Sequence, residues 1–262
     1  DLSRTNWTRK KNAWSSVEFT LVSPSNWLAD EARRSSLMAD QNVMVIPNGI
    51  DLNCFIPLDR QDARKTVGPS NDKFVIAFGA ASPMDARKGL DLLWEALQGF
   101  NKRIGEGNCE LLVFGSGSWN PPGSSIPIRN VGMIDDDRKL ALLYSAANAF
   151  CAPSREENLA NMALESLGCG TPVLAFNIGG FPDIIDHRRT GYLANPFDVK
   201  SLTDGLEFLY SSHLAGEDGR AACRERAERL YNGRTNANRY IDLYNILSSG
   251  NIDRAAASYV LR

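Results

Sequence analysis

The feature that most constrains the fold is a repeated alternation of short apolar runs with longer amphipathic segments. Phe74–Gly79, Ala149–Ala152 and Val173–Phe176 are continuous apolar runs, whereas Leu90–Ile104 has apolar residues at helical spacing. Strands that are apolar on both faces are typical of a parallel sheet covered by helices on both sides. The sequence therefore predicts an α/β fold with an open parallel sheet and helices on both faces.

Charge and composition exclude several classes of function. The net charge of -2 lacks the basic surplus of a nucleic-acid-binding protein, so no nucleic acid is expected as a partner. No apolar run approaches the ~20 residues of a membrane-spanning helix. The five cysteines lack the C-x-x-C spacing of a zinc site, and they indicate a reducing cytosol. With only two histidines, a histidine-based metal site is not expected.

The loop after Phe74–Gly79 contains adjacent cations, Arg87 and Lys88. Open parallel sheets bind ligands outside the carboxyl ends of their strands. Cations at the start of a helix oppose the helix dipole, and a bound polyanion would resolve that conflict. The pair therefore predicts a phosphate site, with a solvated basic pair as the alternative.

Two acids follow the strand Ala149–Ala152. Glu157 lies on the predicted loop and Glu165, separated from it by seven residues, lies inside the next predicted helix. At 3.6 residues per turn both carboxylates could border one cleft at the start of that helix, where sugar hydroxyls would donate to them. Alternatively, Glu157 is a charge near a helix start and Glu165 is an ordinary helix residue. Against that alternative, Glu165 lies among apolar residues and is expected to be partly buried, and a buried acid needs a partner.

Several segments together resemble family 4 (group 1) retaining glycosyltransferases. The E-x7-E element of that family is similar to Glu157 through Glu165. Its A-C-G-x-P-V and G-G-x-P-E elements, its S-x-S and P-N-G-V-D elements and its N-G-Y-L strand are similar to further segments. These are Cys169-Gly170-Thr171-Pro172-Val173, Gly179-Gly180-Phe181-Pro182-Asp183, Ser23-Pro24-Ser25, Pro47-Asn48-Gly49-Ile50-Asp51 and Gly191-Tyr192-Leu193.

The resemblance implies one Rossmann-like half of a GT-B fold and a role for each candidate residue. Glu157 would contact the donor sugar, Glu165 the ribose, and Lys88 the diphosphate, where it would stabilise the leaving group. Glu157 and Lys88 are thus the implied catalytic residues. The implied donor-binding residues are Arg87, Glu165, Leu159, Ala160, Asn161, Gly132 and Ile134.

This sequence departs from the family pattern at two places. Ala80 stands where the family usually has Arg after the first strand, and Arg87 is the candidate to supply the missing cation. The Gly-Phe-Gly pattern after Glu157 is replaced by Asn158-Leu159-Ala160. Both departures leave the phosphate geometry open.

The resemblance also implies a division of the chain. Residues 1–46 would be a remnant of an N-terminal acceptor-binding domain. Residues 47–262 would be the C-terminal donor-binding domain with terminal helices. The polar start, Asp1–Lys11, is interpreted as lying within a longer protein. The 262-residue chain is then expected to bind donor without transferring sugar, and its last helix, Asn236–Leu247, to pack toward the acceptor domain.

The function implied is transfer of a sugar, with retention, from a nucleoside-diphosphate sugar to a glycan or lipid-linked acceptor in polysaccharide or glycoconjugate biosynthesis. No cofactor and no metal are expected. The location expected is cytoplasmic, with peripheral association at the inner face of a membrane open to the full-length protein. The alternatives are a nucleotide-sugar epimerase or sugar phosphorylase of the same architecture, and a non-catalytic nucleotide-binding module, which the loss of the usual Arg at Ala80 favours.

Overall fold

A computed structural model describes residues 2–121 and 125–249, in which short strands alternate with helices. Residues 250–262, the end of the predicted C-terminal domain, lie outside the described part of the chain. The strands are β1 Thr20–Ser23, β2 Asn42–Val45, β3 Phe74–Gly79, β4 Cys109–Phe114, β5 Ile128–Gly132, β6 Ala149–Ala152, β7 Val173–Phe176 and β8 Gly191–Ala194. The helices are α1 Leu2–Trp14, α2 Asn26–Arg34, α3 Arg60–Val67, α4 Leu90–Ile104, α5 Asp137–Ala146, α6 Asn161–Gly168, α7 Phe181–Ile184, α8 Val199–Leu214, α9 Arg220–Leu230 and α10 Gly233–Ser248.

Six strands form one parallel sheet in the order β5-β4-β3-β6-β7-β8. The chain runs outward from β3 to β5, and then returns to the other side of β3 with β6. The strand order therefore reverses between β3 and β6, and the carboxyl ends of these two strands flank the topological switch point, where open α/β sheets bind their ligands.

The sheet is covered on both faces, as its apolar strands require. Side chains of β3 alternate between two cores: Val75 and Ala77 pack on one side, and Phe74, Ile76 and Phe78 on the other. Helices α5, α6 and α9 contribute to the first core, and α4 and α8 to the second. The predicted α/β architecture is confirmed.

The strands β1 and β2 belong to a separate two-stranded parallel sheet. Helix α10 packs on this sheet through Leu243, which is buried against Met44 and Ile46. This contact joins the last helix to residues 1–46, called the first unit below, and the assignment of that unit to an acceptor domain stays a prediction. Helix α1 was not predicted from the sequence, where Asp1–Lys11 was described simply as polar, and none of its residues is buried.

Candidate active site at the switch point

A pocket of about 330 Å³ opens at the switch point, between the loop after β3 and the loop after β6. Gly79 and Ala80 form one side, and Ala152 and the buried Ser154 form the other. Five of the nine candidate residues line this pocket: Lys88, Glu157, Leu159, Ala160 and Asn161. The topology thus brings together segments that are about 70 residues apart in sequence.

Lys88 and Glu157 form an ion pair inside this pocket. The Lys88 Nζ lies 2.8 Å from Glu157 Oε2, and the side chains are 34% and 15% exposed. The other carboxylate oxygen of Glu157 accepts a hydrogen bond from the backbone N–H of Asn158 at 3.2 Å. Because an ammonium group has three donors, Lys88 can keep this contact and still donate to a ligand in the pocket.

Arg87 is not part of the pocket lining. Its guanidinium pairs with Asp85 at 2.6 Å, and its side chain is 71% exposed. Arg87 and Lys88 directly precede the start of α4, as predicted, but they lie in a turn ahead of the helix. The two residues end a 3-10 turn over Ala86–Lys88, and α4 begins only at Leu90. Both cations already have carboxylate partners, so no bound anion is needed to relieve a dipole conflict.

Helix α6 begins in the pocket wall. Its N-cap is Ala160, which makes no side-chain capping hydrogen bond. Ala160, Asn161 and Met162 line the pocket at the first turn. The first N–H groups of an α-helix lack partners within the helix and favour a negatively charged ligand. This end of α6 can therefore accept a phosphate group beside Lys88.

Glu165 lies one turn beyond Asn161 on α6 and is not among the residues that line the pocket. Its Oε2 accepts a hydrogen bond from the hydroxyl of the fully buried Tyr144 at 2.8 Å. Burial raises the pKa of the Glu165 carboxyl, and the bond from Tyr144 partly opposes that rise. The expectation that a buried Glu165 needs a partner is confirmed, and the sequence analysis missed Tyr144 because it reads as an ordinary apolar residue of α5.

Gly132 and Ile134 lie at the end of β5, two strands away from β3. The Gly132 carbonyl accepts from the N–H of Gly115 at 2.9 Å, which joins the ends of β4 and β5. Ile134 packs partly buried against the first core. Neither residue lines the pocket, so their role toward a base stays a prediction.

Gly179 and Gly180 permit a close approach of two backbones. A side chain at Gly179, where φ is +52°, would place its Cβ 1.8 Å from the carbonyl oxygen of Glu157, and one at Gly180 would meet that of Asn158 at 1.9 Å. The loop after β7 therefore supports the segment that carries Glu157. Ser25 of the first unit also reaches it, with its hydroxyl donating to the Asn158 side chain at 2.7 Å.

The two histidines lie outside the pocket lining. His187 Nδ1 accepts from the backbone of Leu193 at 3.0 Å, and His213 packs on Phe74. An acidic triplet follows β5, but its central residue, Asp136, caps α5.

Within the described ranges, no group of three or more His, Cys, Asp or Glu side chains is placed to hold a metal ion. No described helix is long and apolar enough to cross a membrane.

A family model described as "Glycosyl transferases group 1" matches residues 72–212, which is more than half of the chain. Similar curated proteins include a D-inositol 3-phosphate glycosyltransferase from Kribbella flavida, 34% identical over 201 residues, covering 71% of this chain and 47% of that protein. The enzyme of the same name from Actinosynnema mirum is 33% identical over 179 residues, covering 63% and 42%. The chain thus spans about half the length of the curated relatives it matches.

Similar solved structures include sucrose-phosphate synthase from Thermosynechococcus elongatus, with a TM-score of 0.75 and 25% identity over 93% of this chain and 62% of that one. HepE from Anabaena, in complex with UDP and glucose, has a TM-score of 0.75 at 18% identity, covering 93% and 67%. The predicted half of a GT-B fold is confirmed by these likenesses and by the sheet order.

Proposed function

This chain belongs to the group 1 glycosyl transferases, and on that premise we propose that its pocket binds the nucleoside-diphosphate sugar donor of a retaining glycosyltransferase. The observation that carries the proposal is the pocket at the switch point, where Lys88, Glu157 and the uncapped start of α6 converge. The solved structure of HepE, a protein of the same fold, holds UDP and glucose, which supports a nucleotide-sugar ligand for this chain.

The first step in this proposal is capture of the diphosphate by Lys88 and by the amide groups of the first turn of α6, at Ala160 and Asn161. Leu159 is buried beside them and shapes the wall. As the bond between the anomeric carbon and the diphosphate oxygen breaks, negative charge grows on that oxygen. Lys88 stabilises this charge electrostatically. Arg87 contributes only if it leaves Asp85.

The two acids have different tasks in the proposal. Glu157 faces the pocket and accepts hydrogen bonds from the sugar hydroxyls, while Glu165 accepts from the ribose. Gly132 and Ile134 lie next to the base. The acceptor oxygen then bonds to the anomeric carbon on the face from which the diphosphate departs, and its proton leaves with that diphosphate. No metal ion is required in this scheme, so a chelator should not reduce turnover by the full-length protein.

The acceptor side is proposed to involve residues 1–46, in which Ser25, the N-cap of α2, makes the contact to the loop that carries Glu157. We propose a glycan or a lipid-linked molecule as acceptor, in polysaccharide or glycoconjugate biosynthesis at the cytoplasmic side of a membrane. The curated relatives are named for D-inositol 3-phosphate, and this compound therefore belongs in the acceptor panel.

Calorimetry with UDP, GDP and ADP, and with their sugar conjugates, tests the donor assignment. Lys88→Ala should weaken diphosphate binding by about 1.5–3 kcal/mol, the range for hydrogen bonds to charged groups. Glu165→Ala should weaken free nucleotide and nucleotide sugar alike, whereas Glu157→Ala should spare the free nucleotide. An unchanged affinity for Lys88→Ala would remove Lys88 from the site, and equal losses for both acids would remove their division of tasks.

Turnover assays separate the remaining alternatives. The 262-residue chain should bind donor and show no transfer, and the full-length protein should transfer sugar from the same donor. Epimerisation without an acceptor would favour an epimerase, and absorbance of a bound pyridoxal cofactor a phosphorylase. Binding without turnover by the full-length protein would identify a nucleotide-binding module.

A further inference from the structure

The turn that carries Lys88 rests directly on the loop after β6. Gly89, the next residue, has a φ of +71°, and a Cβ at this position would lie 2.0 Å from the carbonyl oxygen of Pro153. The two backbones therefore touch immediately beside Lys88. This contact limits how far the turn can shift away from the loop that carries Glu157.

Arg155 holds the same two segments together by three further contacts. Its backbone N–H donates to the carbonyl of Arg87 at 2.7 Å. Its guanidinium donates to the carbonyl of Ala86 at 2.5 Å, and to both carboxylate oxygens of Asp91 at 2.9 and 2.6 Å. The bonds from Arg155 thus reach residues on both sides of Lys88, at the turn and at the first turn of α4.

We propose that Arg155 is a positioning residue that sets the distance between the Lys88 ammonium and the Glu157 carboxylate. Arg155 lies two residues before Glu157 on one loop, and it clamps the turn that carries Lys88. The inference rests on the proposed function, in which Lys88 meets the donor diphosphate and Glu157 the donor sugar. When a diphosphate attracts Lys88, this clamp keeps the turn from following it.

The fork of a guanidinium matches a carboxylate in one plane, so the clamp is directional, and Lys, a point charge without that fork, can reproduce it only in part. The side chains of Arg155 and Asp91 are nonetheless 34% and 64% exposed, and exposed ion pairs contribute little to global stability. Removal of the clamp should therefore change the geometry of ligand binding near Lys88 and lower the melting temperature only slightly.

A matched control is available on α4, the helix that carries Asp91. Arg103, at the far end of α4, donates to Asp204 and Glu207 of α8 at 2.7 Å each, and its side chain is 36% exposed. Arg103→Met removes an ion-paired arginine of similar exposure from a place remote from the pocket. The test variants are Arg155→Met, Arg155→Lys and Asp91→Asn.

Calorimetry with UDP, GDP and ADP, and with uridine, guanosine and adenosine, provides the readout. Arg155→Met should weaken binding of the nucleoside diphosphate that the wild type binds by about tenfold. This is the lower end of the range for a hydrogen bond to a charged group, because Lys88 would be misaligned and not lost. The matching nucleoside should bind as before, since it makes no contact with Lys88. Arg155→Lys and Asp91→Asn should lose less, and Arg103→Met should bind like the wild type.

Equal diphosphate affinity for the wild type and Arg155→Met would overturn the inference, as would a parallel loss for the nucleoside. Ligand-free crystal structures provide a readout that does not depend on the proposed function. A distance of 2.8 Å between Lys88 Nζ and Glu157 Oε2 retained in Arg155→Met would also overturn it, and a displaced Lys88 would support it. If the wild type binds none of the three diphosphates, the proposed function fails, and the crystal structures alone decide the role of Arg155.

Discussion

The ion pair between Lys88 and Glu157 should have separable effects on stability and on ligand binding. Lys88→Met keeps most of the aliphatic stem and removes the ammonium that lies 2.8 Å from Glu157. The Glu157 side chain is only 15% exposed, and its remaining described hydrogen bond comes from the backbone of Asn158. The variant therefore leaves a mostly buried carboxylate without its cation.

The structure sets the size of the expected change. A polar group left unsatisfied by loss of its partner costs about 1–3 kcal/mol, and partial solvent access at Lys88 favours the lower half, about 1–2 kcal/mol. Glu157→Gln added to Lys88→Met removes the orphaned charge, and this double variant should return to within about 0.5 kcal/mol of the wild type. The exposed pair of Arg103 provides the reference, with a cost of at most ~1 kcal/mol for Arg103→Met.

The assay is urea unfolding at pH 7, followed by circular dichroism, together with calorimetric titration of nucleoside diphosphates. The double variant should regain stability without regaining diphosphate affinity, because Lys88 is still absent. Equal stability for Lys88→Met and the wild type would show that the pair does not form in solution. Diphosphate binding by the double variant at wild-type affinity would refute the role of Lys88.

Three further predictions concern the surroundings of the pocket and the first unit. Because burial raises the pKa of Glu165, folding disfavours its ionised form. Glu165→Gln should therefore unfold at higher urea than the wild type at pH 7, and the difference should vanish as the pH falls below ~4.3, the unperturbed Glu value. An equal difference at pH 3.5 and pH 7 would contradict this sign. Gly89→Ala should lose at least about 1–2 kcal/mol, the cost of a left-handed backbone for a residue with a Cβ, and it should weaken diphosphate binding by displacing the turn; a fully stable variant would show that the turn relaxes freely. Leu243→Ala should lose about 2–5 kcal/mol, as other buried leucines do, while limited proteolysis should detect opening of the first unit and calorimetry should find unchanged diphosphate affinity. Weakened affinity there would mean that α10 packing reaches the pocket.

Apolar patterns in the sequence were sufficient to predict the central strands of the large sheet. β3, β6, β7 and α4 have the predicted bounds, because each is a long or continuous apolar pattern that ends at a glycine, a proline or a polar turn. Helix α3 was not predicted, because it has few apolar residues and is stabilised by hydrogen bonds to residues distant in sequence. Its Arg64 is buried, with hydrogen bonds to Ala146 and Asn148.

The sequence also determined which residues could meet, because parallel strands bring their carboxyl ends to one edge of the sheet. The pairing of these side chains with one another was visible only after folding. Lys88 pairs with Glu157, 69 positions away, whereas the adjacent Arg87 pairs with Asp85. Glu165 accepts a hydrogen bond from Tyr144. Such choices depend on distances of a few ångströms between side chains on different elements, and local patterns of apolar and polar residues carry no information at that scale.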